Sequence, residues 1–315
     1  PKGMLIENRI VPFGKIFIIY ESRPDVTIEA AVMAFKAGNK IVLKGGKESL
    51  RSNLILVKLW HKALTENGFS EDYVVYLDLN REEIQQAIAK NTYKADLIIP
   101  RGGDQLIDFV KKNSNIPALI SGRGNNFLYV DEEADFEMAK KIILNGKSRI
   151  SVCNALDKVI LNKNLPNLDE KLKDLVQFLQ ANQLEAFGYG EILNINPDLK
   201  KDENPELLKE EFLSEKMVIL LANSLDEAIE IINENSGGHS ATIITTNKSK
   251  AEKFQTEVDC GAVYHNASTR FTDGGEFGLS GEIAISTQKL HFRGPLGIHQ
   301  LTTNKWFISG NGEIR

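Results

Sequence analysis

The stretch KIFIIYESRPDVTIEAAVMAFKAGNKIVL, residues 15–43, decides the fold class of this chain. Residues 15–20 are apolar and rich in β-branched and aromatic side chains, which predicts a buried strand. Residues 27–37 carry apolar side chains at helical spacing, and Gly38 follows them as a helix-ending signal. Residues 40–43 predict a second strand. A strand, a helix and a strand in this order form a parallel βαβ unit.

The same alternation continues along the chain. In the first half we predict strands over 74–77 and 97–100, and helices over 48–67, 81–90 and 104–112. In the second half we predict strands over 159–161, 217–221, 241–245 and 262–265, helices over 169–182, 224–235 and 249–258, and an exposed polar loop over 194–210. Strands that alternate with helices indicate doubly wound parallel sheets, which bind ligands at the carboxyl ends of their strands.

The opening residues form a different pattern. Residues 1–14, PKGMLIENRIVPFG, predict a strand, a turn at Glu7–Asn8 and a second strand. A two-stranded ribbon is marginally stable alone. We therefore expect it to lie against another surface, such as a second subunit.

Length and charge narrow the possible functions. The chain has 315 residues, enough for about two domains, and a net charge of −5 without a basic run, which argues against a nucleic-acid partner. Two cysteines cannot form a disulfide framework, and apolar runs such as 16–20 and 217–222 are too short to span a bilayer. We therefore expect a cytoplasmic protein without a membrane partner. The five histidines have no metal-ligand spacing with cysteine, so we predict no metal site.

Cys153 lies in ISVCNA (150–155), where the first strand–helix series gives way to the second. A thiol becomes a strong nucleophile when its thiolate is populated, which helix N-termini and positive charge favour. The alternative is a buried core cysteine, because this residue type is among the most often buried. Taken alone, the residues around Cys153 leave both interpretations open. Cys260 precedes a predicted strand, and we interpret it as structural.

Two glycine pairs follow predicted strands. Arg101, Gly102 and Gly103 lie between a strand and a helix, and a helix N-terminus attracts phosphate, although the GxGxxG fingerprint is absent. Lys44 and Lys47 flank the other glycine pair. These lysines either contact a ribose or phosphate or are simply solvated.

The glycine-rich loop NASTRFTDGGEFGLSG (266–281) carries Arg270. A planar guanidinium suits bidentate binding of a carboxylate. The alternative is a solvated surface loop, although functional residues often lie on loops.

Together these stretches resemble the gamma-glutamyl phosphate reductase family, within the aldehyde dehydrogenase superfamily. The match runs from the first residues to the last, and its most specific parts are NASTRFTDGG (266–275) and STQKLHFRGP (286–295). The other matching stretches are VPFGKIFIIYESRPDVTIEA (11–30), LKGGKES (43–49), DLIIPRGG (96–103), SGRGNN (121–126), SVCNA (151–155), NSGGHSATI (235–243) and LTTNKW (301–306).

The resemblance implies an aldehyde dehydrogenase-like α/β fold with two doubly wound domains and a small oligomerisation ribbon. It implies an NADP-binding domain over 13–149, a catalytic domain over 150–293, and a ribbon formed by 1–12 and 294–315. It also implies a homo-oligomer, either a dimer or a tetramer. The family has a helical segment before the opening ribbon that this chain lacks, so we expect a shortened chain.

The implied activity is the NADPH-dependent reduction of L-glutamyl 5-phosphate to L-glutamate 5-semialdehyde and phosphate, the second step of proline biosynthesis. Cys153 would attack the acyl phosphate and carry the acyl group as a thioester. Ile120 and Ser121 stand where aldehyde-oxidising relatives have a water-activating glutamate, which favours reduction. The alternatives are an NAD-dependent aldehyde dehydrogenase, or an inactive homologue that only binds nucleotide or oligomerises.

The resemblance also implies roles for individual residues. The oxyanion candidates are the backbone N–H of Cys153 and the side chain of Ser22 or Asn154. The residues implied for the substrate carboxylate are Arg270, helped by Ser268, Thr269 and Phe271. Those implied for NADPH are Lys44 at the adenosine ribose, Arg101, Gly102 and Gly103 near the pyrophosphate, and Glu211 and Phe212 at the nicotinamide ribose.

Overall fold

The computed structural model describes residues 3–21, 23–202 and 204–314. The chain divides into two compact units. The first comprises the residues up to 121 together with 278–285 and those from 290 onward, and the second comprises 122–277 and 286–289. The predicted domain boundary at 149/150 is therefore corrected to 121/122, because residues 126–130 form a strand inside the sheet of the second unit.

The first unit is built around a four-stranded parallel sheet with the order β4-β3-β2-β5. Its strands and helices in the first part of the chain are β1 Leu5–Pro12, β2 Lys15–Tyr20, α1 Val26–Lys36, β3 Lys40–Lys44, α2 Leu50–Glu66, β4 Val74–Tyr76, α3 Arg81–Lys90, β5 Leu97–Arg101 and α4 Asp104–Asn113. β2 is buried from Ile16 to Tyr20, as its apolar run predicts. Gly38 follows α1 with φ +84°, and its N–H bonds to Phe35 O, so the predicted helix-ending role is confirmed.

The strand order reverses beside β2. β3 follows β2 through α1 on one side, whereas β5 lies on the other side. At such a switch point the connections leave in opposite directions, and a crevice opens at the carboxyl ends of the two strands. Residues 101–103 stand at this edge, at the end of β5.

The second unit contains a seven-stranded parallel sheet with the order β12-β11-β6-β7-β10-β8-β9. Its elements are β6 Asn126–Val130, α5 Phe136–Gly146, β7 Leu156–Asn162, α6 Leu168–Ala181, β8 Glu185–Gly188, α7 Ile192–Ile195, β9 Lys200–Lys201, β10 Lys216–Ala222, α8 Leu225–Asn235, β11 Ser240–Ile244, α9 Lys248–Glu257 and β12 Ala262–His265. The sequence interpretation missed β6, α5 and β8. It found the rest of the alternation, apart from two short elements in the polar loop.

The opening strand β1 pairs antiparallel with β15 Thr302–Ser309, from the other end of the chain. The turn expected at Glu7–Asn8 is wrong, because β1 continues through both residues and its partner is supplied by the C-terminal strand. Leu5, Ile10 and Trp306 are more than half exposed on this ribbon. A further short pair joins β13 Ile285–Ser286 to β14 Gly294–Pro295. Within the described ranges, no helix is long and apolar enough to cross a membrane.

Candidate active site

Cys153 stands at the amino end of β7, in the turn that follows α5. Its side chain is exposed, so the buried-core interpretation is wrong, whereas Cys260 is buried. The position differs from the expectation that ligands meet the carboxyl ends of strands, because the second unit presents its thiol at the opposite edge. The thiol also does not lie at a helix N-terminus. Contacts from other residues hold the turn that carries it.

Gly124 and Asn126 hold the Cys153 turn against the start of β6. A Cβ atom at Gly124 would lie 2.0 Å from the carbonyl oxygen of Cys153 and 2.4 Å from its Cα, so only glycine permits this approach. Asn126 Nδ2 donates to the carbonyl oxygens of Cys153 at 2.8 Å and Ala155 at 2.6 Å. Both residues belong to the SGRGNN stretch, and the sequence interpretation assigned neither of them a role.

Asn154 is buried, and its side chain joins the Cys153 turn to the Arg270 loop. Its Nδ2 donates to the carbonyl oxygens of Arg270 at 3.2 Å and Thr272 at 3.0 Å, and its Oδ1 accepts from the Arg270 guanidinium. An amide nitrogen has two hydrogens, and both are used here. The predicted oxyanion role of the Asn154 side chain is therefore corrected to a positioning role. Ser22, the other side-chain candidate, lies outside the described residues.

The Arg270 loop reaches Asn154 because residues 266–272 run back from the carboxyl end of β12 toward the amino end of β11. Thr242 Oγ1 donates to Ala267 O at 2.8 Å in the middle of β11, and Thr272 meets Ser240 at its start. This part of the loop is packed, so the solvated-loop interpretation is wrong for it.

The predicted substrate residues on this loop differ in exposure. Ser268 and Thr269 are buried, and Thr269 Oγ1 donates to Asn154 O at 2.9 Å. Phe271 is exposed. Among the described residues, the buried Nε of Arg270 has no hydrogen-bond partner. A buried donor left in this state favours an incoming acceptor, because leaving it unsatisfied is unfavourable.

A buried hydrogen-bonded chain lies behind this loop. His239 Nδ1 contacts Ser240 Oγ at 2.8 Å, and the Thr272 hydroxyl lies 2.7 Å from both Ser240 Oγ and Tyr264 Oη. Burial lowers the pKa of His239 to about 4, so this imidazole is neutral near pH 7.

The low pKa of His239 predicts acid sensitivity. An unfolded histidine binds a proton near pH 6.5, whereas the buried one resists protonation until about pH 4. The stabilisation from this group is therefore complete above pH 6.5 and is lost as the pH falls toward 4. We expect it to contribute about 2 kcal/mol to the loss of unfolding free energy between pH 7.5 and pH 5.

Urea unfolding of wild type and His239→Asn at these two pH values measures this contribution. The variant should show a pH dependence that is smaller by about 2 kcal/mol. His299→Asn, at an exposed histidine, serves as the control and should behave as wild type. An unchanged pH dependence in His239→Asn would contradict the prediction.

The predicted pair Glu211–Phe212 lies in the segment before β10, and the two side chains have different surroundings. Phe212 N–H donates to Asp157 Oδ2 at 2.9 Å, and its ring packs 3.8 Å from Lys158 Nζ and 4.5 Å from Lys216 Nζ. The expected contact of the Phe212 ring with the nicotinamide ribose is therefore corrected, because the ring is occupied by the protein itself. Glu211 is half-buried, and Leu213, which follows Phe212 and has φ +48°, is exposed.

In the first unit, the other cofactor candidates stand at the carboxyl edge of the sheet, as predicted. Lys44 ends β3, and its Nζ donates to Gly45 O at 2.7 Å. Burial lowers the pKa of Lys44, against the opposing charge of Asp78. The Arg101 guanidinium donates to Ile283 O at 2.6 Å. The backbone of Gly102 and Gly103 opens α4 beside the end of β2.

Comparison with known proteins relates this geometry to a family. The aldehyde dehydrogenase family model matches residues 9–192 and 193–306. The gamma-glutamyl phosphate reductase of Petrotoga mobilis is 44% identical over 316 residues, which cover 100% of this chain and 75% of the relative. The gamma-glutamyl phosphate reductase of Dictyoglomus thermophilum is 44% identical over 319 residues, which cover 100% of this chain and 75% of the relative. The crystal structure of gamma-glutamyl phosphate reductase from Thermotoga maritima has a TM-score of 0.94 at 41% identity, over 99% of this chain and 75% of that one.

The chain belongs to the gamma-glutamyl phosphate reductases of the aldehyde dehydrogenase family. The predicted aldehyde dehydrogenase-like α/β fold and the prediction of an oxidoreductase are confirmed. An acetylating aldehyde dehydrogenase from Geobacillus thermoglucosidasius has a TM-score of 0.75 at 17% identity, over 98% of this chain and 78% of that one, which extends the likeness in fold alone.

Membership of the gamma-glutamyl phosphate reductases implies a nicotinamide cofactor, and the first unit fits one. Gly103 is the N-cap residue of α4, and among the described residues no heavy atom would approach a Cβ there within 4 Å. The Gly103 N–H donates to the Glu21 carboxylate at 3.1 Å, so a phosphate oxygen at this helix start would have to replace that carboxylate as the acceptor.

The sequence interpretation missed three residues that contact the Cys153 turn or the segment bearing Glu211. Gly124, Asn126 and Lys158 form contacts with segments far along the chain, so no local pattern identified them. One signal was available for Lys158, because a lysine inside the apolar strand LDKVIL is unusual.

Proposed function

We propose that this chain catalyses the NADPH-dependent reduction of L-glutamyl 5-phosphate to L-glutamate 5-semialdehyde and phosphate, in the cytoplasm, as the second step of proline biosynthesis. The observation that carries the proposal is the exposed Cys153 thiol in a turn bonded through Asn154 to the Arg270 loop. The relatives named gamma-glutamyl phosphate reductase, which match over the whole chain, support the same reaction.

The proposed chemistry begins at Cys153. The thiolate attacks the acyl carbon, the C–S bond forms, the bond from carbon to the phosphate oxygen breaks, and phosphate leaves. NADPH, when bound, supplies the hydride that reduces the thioester. Collapse of the resulting hemithioacetal releases the aldehyde and returns the thiolate of Cys153. The backbone N–H of Cys153 is the oxyanion donor that we retain, since Asn154 uses both of its side-chain hydrogens elsewhere.

Arg270 is the proposed ligand of the substrate's α-carboxylate. Its buried Nε has no hydrogen-bond partner among the residues that the structure describes, and a guanidinium can present two parallel donors to a carboxylate. Phe271, which is exposed, is proposed to contact the substrate chain. Ser268 and Thr269 are proposed to support Arg270 from within the protein, because both are buried.

The cofactor contacts remain proposals for individual residues. Lys44 is proposed to contact the adenosine ribose, and Lys44 or Lys47 would favour NADPH through its 2′-phosphate. The backbone of Gly102 and Gly103 is proposed for the pyrophosphate, with Arg101 holding their loop through Ile283. Glu211 is proposed for the nicotinamide ribose. We further propose a homo-oligomer, a dimer or a tetramer, assembled through the β1–β15 ribbon, whose exposed apolar side chains support this role.

Phosphate dependence tests the reaction in reverse. With L-glutamate 5-semialdehyde and NADP, we expect NADPH formation to require inorganic phosphate, because phosphate must discharge the thioester. Absorbance at the NADPH band measures the rate, and hydroxylamine traps the acyl phosphate product. An NAD-dependent aldehyde dehydrogenase would instead turn over without phosphate and release the carboxylate. Nucleotide binding or oligomer formation without turnover would favour the inactive homologue.

A further inference from the structure

Lys158 is an ammonium group inside the sheet of the second unit. It lies within β7 and is 0% exposed. Its Nζ donates to Asn125 Oδ1 and to the carbonyl oxygen of Glu210, and it lies 3.8 Å from the centre of the Phe212 ring. Among the described residues, no carboxylate forms an ion pair with it, whereas the neighbouring buried Lys147 pairs with Asp157 at 2.6 Å.

Burial of such a charge is unfavourable for folding unless its hydrogen bonds compensate. Burial lowers the pKa of Lys158 to about 7, and the nearby charge of Asp157 opposes this shift. An apolar side chain of similar length would fill the same space without this cost. The distinctive contribution of Lys158 is therefore the set of groups that its ammonium binds.

Those groups belong to two segments that the proposed reaction needs together. Asn125, which accepts from Lys158, donates through Nδ2 to Leu208 O at 2.6 Å and Asn235 O at 2.7 Å. The next residue, Asn126, holds the Cys153 turn. Lys158 and Asn125 thus attach the segment 208–212, which bears Glu211, to the same dipeptide that positions the nucleophile.

We propose that Lys158 is a positioning residue for the cofactor, holding the segment 208–213 where Glu211 meets the nicotinamide ribose. This inference rests on the proposed function, in which Glu211 contacts the cofactor. Lys158 touches neither the substrate nor the reacting atoms. It acts through the Glu210 carbonyl and Asn125, so its removal should affect nucleotide binding more than the reactivity of Cys153.

Lys158→Met tests the proposal in the phosphate-dependent reverse reaction. We expect the KM for NADP to rise about tenfold or more, the size of effect that loss of a charge-assisted hydrogen bond produces. The KM for L-glutamate 5-semialdehyde and the alkylation rate of Cys153 by iodoacetamide should change less than about twofold, because the Asn126 bonds remain. Amide hydrogen exchange over 208–213 should become faster, whether or not nucleotide is present.

Lys163→Met is the matched control, since Lys163 follows the same strand at its other end, is half-exposed and pairs with Glu191. It should leave both KM values and the exchange over 208–213 unchanged. Lys158→Gln, which keeps an amide donor, provides a second variant if the methionine variant folds poorly.

An unchanged KM for NADP in a folded variant would overturn the inference, as would an equal loss in every kinetic parameter with lower stability. Failure of both variants to fold would show a purely structural lysine and overturn it as well. A wild-type chain without nucleotide-dependent turnover would instead overturn the proposed function, while the exchange measurement would still report whether Lys158 holds the segment.

Discussion

Replacing Cys153 by alanine is expected to abolish turnover, with kcat lower by about 10⁴-fold or more, because no other group can carry the acyl chain. Cys153 is exposed, so the substitution removes no core packing. The free energy of unfolding should therefore stay within about 0.5 kcal/mol of wild type. Initial rates of phosphate-dependent NADP reduction and urea unfolding measure the two effects.

Cys260→Ala is the matched control for Cys153→Ala. The Cys260 side chain is buried and lies 3.5 Å from Ser236 Oγ. Its truncation should lower the free energy of unfolding by about 1 kcal/mol and leave kcat near wild type. Substantial turnover by folded Cys153→Ala protein would remove the thioester from the mechanism.

Gly124→Ala is expected to lower kcat by about 100-fold or more without touching any reacting atom. The new Cβ would lie 2.0 to 2.5 Å from the backbone of Cys153, a distance that no side-chain rotation can relieve. The turn must therefore shift, and displacement of a nucleophile by about 1 Å is enough for a loss of this size. We also expect about 1–3 kcal/mol of lost stability from the overlap.

The iodoacetamide alkylation rate of Cys153 separates these two effects, because it reports the thiol directly in the folded fraction. Gly190→Ala is the control: Gly190 has φ +70°, and no described atom lies within 4 Å of a Cβ there. Gly190→Ala should lower the free energy of unfolding by about 1 kcal/mol through backbone strain and leave kcat unchanged. Wild-type kcat in Gly124→Ala would show that the close contact with Cys153 is not needed for catalysis.

Much of the fold follows from local patterns. β2, α3 and β12 carry apolar periodicity and end signals within their own residues, so the sequence predicts them closely. β6 was missed because the burial of NFLYV (126–130) depends on β7 and β11 on either side. The predicted boundary between the two units was wrong for the same reason, since a strand belongs to the sheet in which its backbone hydrogen bonds are formed.

In the candidate site, too, some residues were predicted from the sequence and the roles of others were revised by the structure. Cys153 and Arg270 were predicted as site residues from the sequence because their surrounding stretches are distinctive, and their roles stay predictions. The functions of Asn154 and Phe212 were revised because each side chain found its partners within the protein, in Arg270, Thr272 and the buried lysines. The residue type limits which hydrogen bonds and contacts a side chain can form, and the tertiary packing decides which of them are formed.

The sequence by itself determined the alternation of strands and helices, because the pattern of each element lies in residues close together in the chain. It also determined the family, through motifs spread along the whole chain, and it made Cys153 the candidate nucleophile. Only the tertiary structure decided how the Cys153 turn is held. Asn154 lies 116 residues from Arg270, and Asn125 lies 83 residues from Leu208. In the second unit these contacts form where parallel strands bring their amino ends to one edge of the sheet. At that edge, the Cys153 turn and the segment bearing Glu211 contact the residues that hold them in place.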